Sequence, residues 1–231
     1  METLARNVSP VGILMLDTRF PRIPGDIGNP ETFEFPVLYR TVKGAFPEQV
    51  VLRPDAGLVE LFVLAGRELI REGAGSLTTS CGFMALFHRE LVQALGVPVF
   101  TSSLLQVHLA RAILKPDRTV GIITARKQSL TPAHLASLGI DIHDLSIVGM
   151  EDAREFTQVF IHGKQTLDVA LCRREMEAAA HTLMQQTPDL GAVVLECTNM
   201  GPYSRDIRRI TGVPVFDVLT LVRHAYGCVN P

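Results

Sequence analysis

Two cysteines stand in settings where a thiol can do acid–base work. One lies in Thr78-Thr79-Ser80-Cys81-Gly82-Phe83, the other in Leu195-Glu196-Cys197-Thr198-Asn199-Met200. Sixteen residues after each, the chain reads Val-Pro-Val-Phe, at Val97 to Phe100 and Val213 to Phe216, each preceded by a glycine, Gly96 or Gly212. Two such segments at one spacing imply an internal duplication that kept a thiol at the same structural point in both copies. A single site between two related halves is then flanked by two cysteines, one from each side. That arrangement suits removal of a proton from one face of a carbon and delivery of a proton to the other.

A free thiol has a pKa near about 8.5, and the unpaired N–H groups at a helix start favour its anion. Both cysteines are predicted at strand-end, helix-start turns. Gly82 would let backbone approach a ligand closely, the amides after each cysteine would bind a carboxylate, and Ser80 and Thr198 add hydroxyl donors. The other two cysteines differ: Cys172 sits on a helical stripe with Val169, Met176, Ala179 and Leu183 and reads as core, and Cys228 is near the C-terminus with no implied partner. Asp17-Thr18 closes the first apolar run, where it would orient a cysteine, bind a substrate amino group, or simply cap a turn. Thr124 ends the corresponding run of the second half. The loop from Gly25 to Phe33 has the composition of either an active-site cover or a rigid surface loop.

The histidines share no metal-ligand spacing, so no metal is expected. Dinucleotide and nucleoside-triphosphate loops are absent, so neither ligand is suggested, and no serine sits in Gly-x-Ser-x-Gly. Net charge is −2 with no basic run, which gives no footprint for nucleic acid or a membrane surface. Apolar residues make up 47% of the chain and charged ones 20%, a composition that packs rather than stays disordered. The start of the chain lacks the basic segment and cleavage site of a leader, and the cysteines read as reduced thiols, so a cytoplasmic protein is expected.

Positioning the cysteines requires alternating strands and helices. Strands are predicted at Val11–Leu16, Val50–Leu52, Ser76–Ser80, Val97–Phe100, Thr119–Thr124, 141–148, Ala192–Glu196 and Val213–Asp217. Helices are predicted from about Asp55 to Arg71 (stripe Leu58, Leu61, Phe62, Ala65, Leu69), Phe83 to Leu95, Leu104 to Leu114, Thr131 to Leu138, Leu167 to Gln186, Tyr203 to Ile210, and after Asp217. Such alternation means parallel sheets, with ligands bound outside the carboxyl ends of the strands. The fold class is therefore α/β: two pseudo-symmetric parallel-sheet halves with the active site in the cleft between them. The expected division is 1–103 plus 217–231 for the first half and 104–216 for the second, the last helix crossing back onto the first.

A first-strand Asp-Thr, a strand-end Ser-Cys-Gly and a late Glu-Cys-Thr-Asn over nearly the whole chain resemble the aspartate/glutamate racemase superfamily. That group holds glutamate, aspartate and hydantoin racemases, arylmalonate decarboxylases and maleate isomerases. The resemblance implies a cofactor-independent racemase or epimerase in which Cys81 and Cys197 are the two acid/bases, Thr198 is a substrate-carboxylate donor, and Asp17-Thr18 matches the superfamily's Asp-Ser. It implies a homo-oligomer acting on a small carboxylate, amino acid or hydantoin. Acidic amino-acid racemases have Asn-Thr after the first cysteine, where this chain has Gly82-Phe83, and often Thr-His or Thr-Glu after the second, where it has Thr198-Asn199. Phe83 and Asn199 point to a less polar pocket and a cyclic or apolar-substituted substrate, unless Arg19, Arg22, Arg53 or Arg126 enters the cleft to hold a second carboxylate. Two retained cysteines argue against a decarboxylase, which keeps one. Alternatives are a maleate-type cis–trans isomerase or decarboxylase, a redox pair, or a non-enzymatic small-ligand binding protein.

Overall fold

The computed structural model describes residues 8–143 and 145–231; the first seven residues, read above for the lack of a leader, lie outside the described residues. Six consecutive apolar residues make Val11–Leu16 (β1) a strand with both faces inside, and all six are buried. It pairs in parallel with Val37–Val42 (β2) on one side and Ser76–Thr79 (β3) on the other, and β3 carries Val99–Phe100 (β4) beyond it. The second half repeats the plan with Thr119–Thr124 (β5), Leu145–Gly149 (β6), Leu190–Leu195 (β7) and Val215–Phe216 (β8). The two four-stranded sheets run β2-β1-β3-β4 and β6-β5-β7-β8, so strands equivalent by duplication hold equivalent places.

Helices cover these sheets: Pro47–Leu52 (α1), Gly57–Arg71 (α2), His88–Ala94 (α3), Val107–Ile113 (α4), Pro132–Ser137 (α5), Arg154–Phe160 (α6), Val169–Gln186 (α7), Ser204–Thr211 (α8) and Val218–Val229 (α9). In α2 the positions Leu58, Phe62, Ala65 and Leu69 face inward as expected, whereas Leu61 is exposed. In α7 the buried stripe is Cys172, Met176, Ala179, Ala180 and Leu183. Asp217 caps α9 by accepting from the Thr220 amide at 2.8 Å. This helix packs on β1, β3 and β4 of the first sheet. Its Val218 and Val222 join Val11, Ile13, Met15, Ile27 and Phe33 in an apolar cluster separate from the main core. Burying each such side chain contributes about 1.5–3 kcal/mol, which anchors the loop bearing Ile27 and Phe33.

Two expectations are corrected. Val50–Leu52 is the last part of α1, a helix opened by Pro47 in its first turn, where a missing N–H costs nothing. The second strand is instead Val37–Val42, a half-buried edge strand whose Tyr39, Arg40 and Thr41 hide the apolar signal of a buried one. Helix α6 was not foreseen, although Phe156, Val159 and Phe160 form its buried face. Among the described residues no helix is long and apolar enough to cross a membrane.

Candidate active site

Each half delivers its cysteine in the same way. Ser80 follows β3, and its amide donates to the Leu14 carbonyl of β1; Glu196 follows β7, and its amide donates to the Ile123 carbonyl of β5. The next residue is the cysteine, and each cysteine opens a 3₁₀ turn, Gly82–Phe87 or Thr198–Tyr203. Ser80 and Glu196 thus occupy matched positions, and their side chains finish the central strands alike. Ser80 Oγ accepts from the Leu16 amide at 2.8 Å. Glu196 Oε2 accepts from Thr124 Oγ1 at 2.8 Å and from the Ala125 amide at 3.3 Å.

The halves meet at these points. Thr198 Oγ1 donates to the Ser80 carbonyl at 2.7 Å, and Ser103 Oγ to the Leu195 carbonyl at 2.5 Å. Gly82 lies against the other half so closely that a Cβ there would overlap the Glu196 carbonyl oxygen and Oε1. Between the strand ends is a cavity of about 20 Å³ that both Cys81 and Cys197 line, with Thr18, Phe20, Arg22, Ser80, Phe83, Phe160, Glu196 and Asn199 among its walls. A volume of that size holds about one water. A larger cleft of about 340 Å³ adjoins it, sharing Thr18, Pro47 and Ile161 and extending over Asp17, Arg19, Glu48 and His162.

One wall is braced by a polar chain. Arg22 reaches Thr18 Oγ1 at 2.9 Å and Asp26 Oδ1 at 2.6 Å, and its guanidinium lies 4.7 Å from the Phe20 ring centroid. Asp26 Oδ2 accepts from Asn199 Nδ2 at 2.7 Å, which turns Asn199 Oδ1 toward the Cys197 thiol at 3.5 Å. Phe20 and Phe160 meet edge to face at 5.1 Å, and Phe83 meets the buried His134 ring the same way at 5.4 Å.

Placement at a strand end does not lower the thiol pKa values. Burial, reinforced by the Glu196 charge, pushes Cys81 up to about 12, against the opposing pull of the Phe83 and Met84 amides. Cys197 is raised well above its ordinary value by burial first, then by the charges of Glu196, Cys81 and Asp26, and only the Asn199 amide favours its anion. Burial also lifts Glu196 to about 7 despite its bonds to Thr124 and Ala125. Desolvation thus outweighs the dipole effect on which the sequence argument rested.

Of the residues singled out from sequence, Thr18, Ser80, Cys81, Phe83, Cys197 and Asn199 line one cavity. Asp17 lies on the adjoining cleft, and its carboxylate accepts from the Gly44 amide at 3.3 Å. Gly82, Thr124 and Thr198 are not on that cavity's walls: Gly82 lies against Glu196, Thr124 holds Glu196, and Thr198 ties the halves together. Of the four arginines considered, Arg22 lines the cavity. The Gly25–Phe33 loop is packed support, with Asp26 bonded into the site and Ile27 and Phe33 in the core. Phe20, Asp26, Phe160 and Glu196 were missed. Glu196 had a signal, since aligning the two cysteine boxes sets it opposite Ser80. The thiols of Cys172 and Cys228 lie elsewhere, the first buried and the second exposed. Among the described residues no group of three or more His, Cys, Asp or Glu could hold a metal ion.

No protein-family model matches the chain. A dimethylsulfoniopropionate lyase from Durusdinium sp. clade D is 31% identical over 90% of this chain and 71% of that protein. Dimethylsulfoniopropionate lyase 5 of Emiliania huxleyi is 29% identical over the whole chain and 48% of its own length, so this chain spans about half of that relative. Among solved structures, an allantoin racemase from Klebsiella pneumoniae superposes with a TM-score of 0.63 at 14% identity, covering 94% of this chain and 86% of that one. A mutant arylmalonate decarboxylase gives 0.60 at 18% identity, covering 95% and 93%. The fold is that of the aspartate/glutamate racemase superfamily, and by sequence the chain belongs to the dimethylsulfoniopropionate lyase family.

Proposed function

We propose that the chain removes the proton α to a propionate carboxylate and expels a β-sulfonium group, with dimethylsulfoniopropionate as substrate. The observation that carries this reading is the cavity itself, where two thiols face a wall built from Phe20, Phe83 and Phe160. A sulfonium is a cation clothed in methyl groups, and aromatic faces bind such groups through both charge and apolar contact. Arg22 supplies the opposite pole. Its bonds to Asp26 and Thr18 use one N–H on each terminal nitrogen, and a guanidinium carries five donors, so donors remain for the substrate carboxylate.

The two thiols divide the work. Cys81 has the Phe83 and Met84 amides to support its anion and acts as the base. Cys197 donates toward Asn199 Oδ1, which favours its protonated form; its single S–H can swing from Asn199 to the enediolate as charge develops on the carboxylate. The Cα–H electron pair becomes the carbon–carbon double bond of acrylate, and the Cβ–S pair leaves with dimethyl sulfide. The bound sulfonium also offsets the cost of a thiolate in this dry site. Because the cavity holds about one water, access for the substrate requires the walls shared with the adjoining cleft, Thr18, Pro47 and Ile161, to part.

A second reading, racemisation, draws support from one thiol being contributed by each half, as two-face proton exchange requires. Both readings share the first step. Dimethyl sulfide measured in the headspace over enzyme and dimethylsulfoniopropionate, beside α-deuterium exchange into amino acids, hydantoins and allantoin in heavy water, separates them. Exchange without elimination overturns the lyase reading in favour of the racemase.

A further inference from the structure

Glu196 is one position at which the two halves differ, and there the difference puts a carboxylate opposite a serine. Its counterpart Ser80 places one hydroxyl oxygen and bonds it to the Leu16 amide. Glu196 does the same job for the second sheet with Oε2 alone, which accepts from Thr124 and Ala125. Oε1 is then left over. The residue is fully buried, and Oε1 has no hydrogen-bond partner. A buried oxygen without a partner is costly, and a serine would have closed the strand end without that cost. Its surroundings are the Cys81 box, through Gly82, and the cavity that both thiols share.

Elimination creates a need that racemisation does not. A racemase returns a proton to its product, whereas dimethylsulfoniopropionate becomes acrylate, dimethyl sulfide and one proton. That proton must leave a narrow cavity each turnover, and a thiol must first lose its own proton to become a base. We propose that Glu196 Oε1 takes the Cys81 thiol proton once substrate is bound and loses it to water after product release. One negative charge sits on Glu196 at rest and on Cys81 until the α-proton arrives; both groups are then neutral, the charge leaves with acrylate, and Glu196 recovers its own when it discharges to water. Cys81 ends the step as a thiol, holding the substrate's proton, and the acid that discharges to solvent is Glu196. The burial that lifts its carboxyl to about 7 suits it to both tasks near neutral pH. Glu196 acts through the cysteine and need not touch the substrate.

This inference rests on the lyase reading, and its test keeps the two separable. The kcat/KM–pH profile for dimethyl sulfide release reports groups of the free enzyme. In the wild type an acid limb near pH 7 is expected, since protonated Glu196 accepts no further proton. Thr124→Val removes a bond that favours the carboxylate, so the limb should move to higher pH. Glu196→Gln can keep the Thr124 and Ala125 bonds through its amide oxygen, and should lose at least 100-fold in kcat and lose the limb. Alkylation of Cys81 by iodoacetamide is the substrate-free readout: without the neighbouring charge the thiol should react faster at pH 8 in Glu196→Gln. An active wild type whose limb is absent, or unmoved in Thr124→Val, overturns the proposal, as does a Glu196→Gln variant with wild-type kcat. A wild type that releases no dimethyl sulfide overturns the lyase reading instead. The alkylation comparison then still judges Glu196, and unchanged Cys81 reactivity refutes its coupling to the thiol.

Discussion

Gly82→Ala tests the closest approach of the two halves. Gly82 has no left-handed backbone conformation, so alanine meets no torsional objection there. The objection is steric: the new methyl would overlap the Glu196 carbonyl oxygen and Oε1, one of them backbone. Backbone at the end of β7 cannot rotate away, and the overlap must be relieved by moving the strand ends apart. Overpacking of this kind costs about 1–3 kcal/mol. For a chain of this length that corresponds to a Tm lower by about 2–12 °C. Gly96 is the control, because a Cβ there meets nothing within 4 Å and its φ is ordinary, so Gly96→Ala should match or slightly exceed wild-type stability. Adding Glu196→Ala to Gly82→Ala removes the Oε1 overlap and leaves the carbonyl overlap, so the double variant should recover only part of the loss. Thermal and urea unfolding followed by circular dichroism measure all four proteins. Gly82→Ala melting with Gly96→Ala would refute the close packing inferred between the Cys81 turn and Glu196.

Cys81→Ser should lower dimethyl sulfide release by about 10²–10⁴-fold, the usual contribution of a positioned base, while Cys197→Ser keeps a donor and should stay within about tenfold; steady-state kinetics showing the reverse order would exchange the two roles. Arg22→Lys keeps the charge but loses the guanidinium fork, so KM for the substrate should rise about tenfold with kcat less affected. Glu196 has a folded pKa of about 7 against 4.5 for an unperturbed carboxyl, so the folded state holds the proton more tightly and stability falls as pH rises through that interval. Two and a half units correspond to about 3 kcal/mol, and Glu196→Gln should therefore gain on the wild type between pH 4.5 and 7 and hold its advantage above. His134, lowered to about 4 by burial, acts in the opposite sense by losing stability as pH falls through 6.5, so the comparison is read as a difference between the two proteins in urea titrations.

Pattern determined the strands whose residues are buried on both faces, since short apolar runs such as Val11–Leu16 and Thr119–Thr124, alternating with longer helical stripes, suit the core of a parallel sheet. The repeat of Cys-x15-Val-Pro-Val-Phe determined the duplication and set both thiols at strand ends, because equal spacing in two copies of one fold places equal residues at equal points. Edge strand β2 escaped notice because Tyr39, Arg40 and Thr41 interrupt its apolar residues, leaving no continuous run. Tertiary structure alone decided which residues meet across the halves. Thr198 resembled a ligand donor by its neighbourhood to Cys197, yet its hydroxyl is spent on the Ser80 carbonyl, 118 positions away in the chain. Asp26 and Asn199, 173 positions apart, are partners in a structure where the loop bearing Asp26 is anchored by Ile27 and Phe33 against α9. The state of the thiols was likewise hidden, because a residue's place after a strand reveals the local dipole but not the depth of burial. Burial depends on everything packed around the site, and here it reversed the sign of the shift expected for both cysteines.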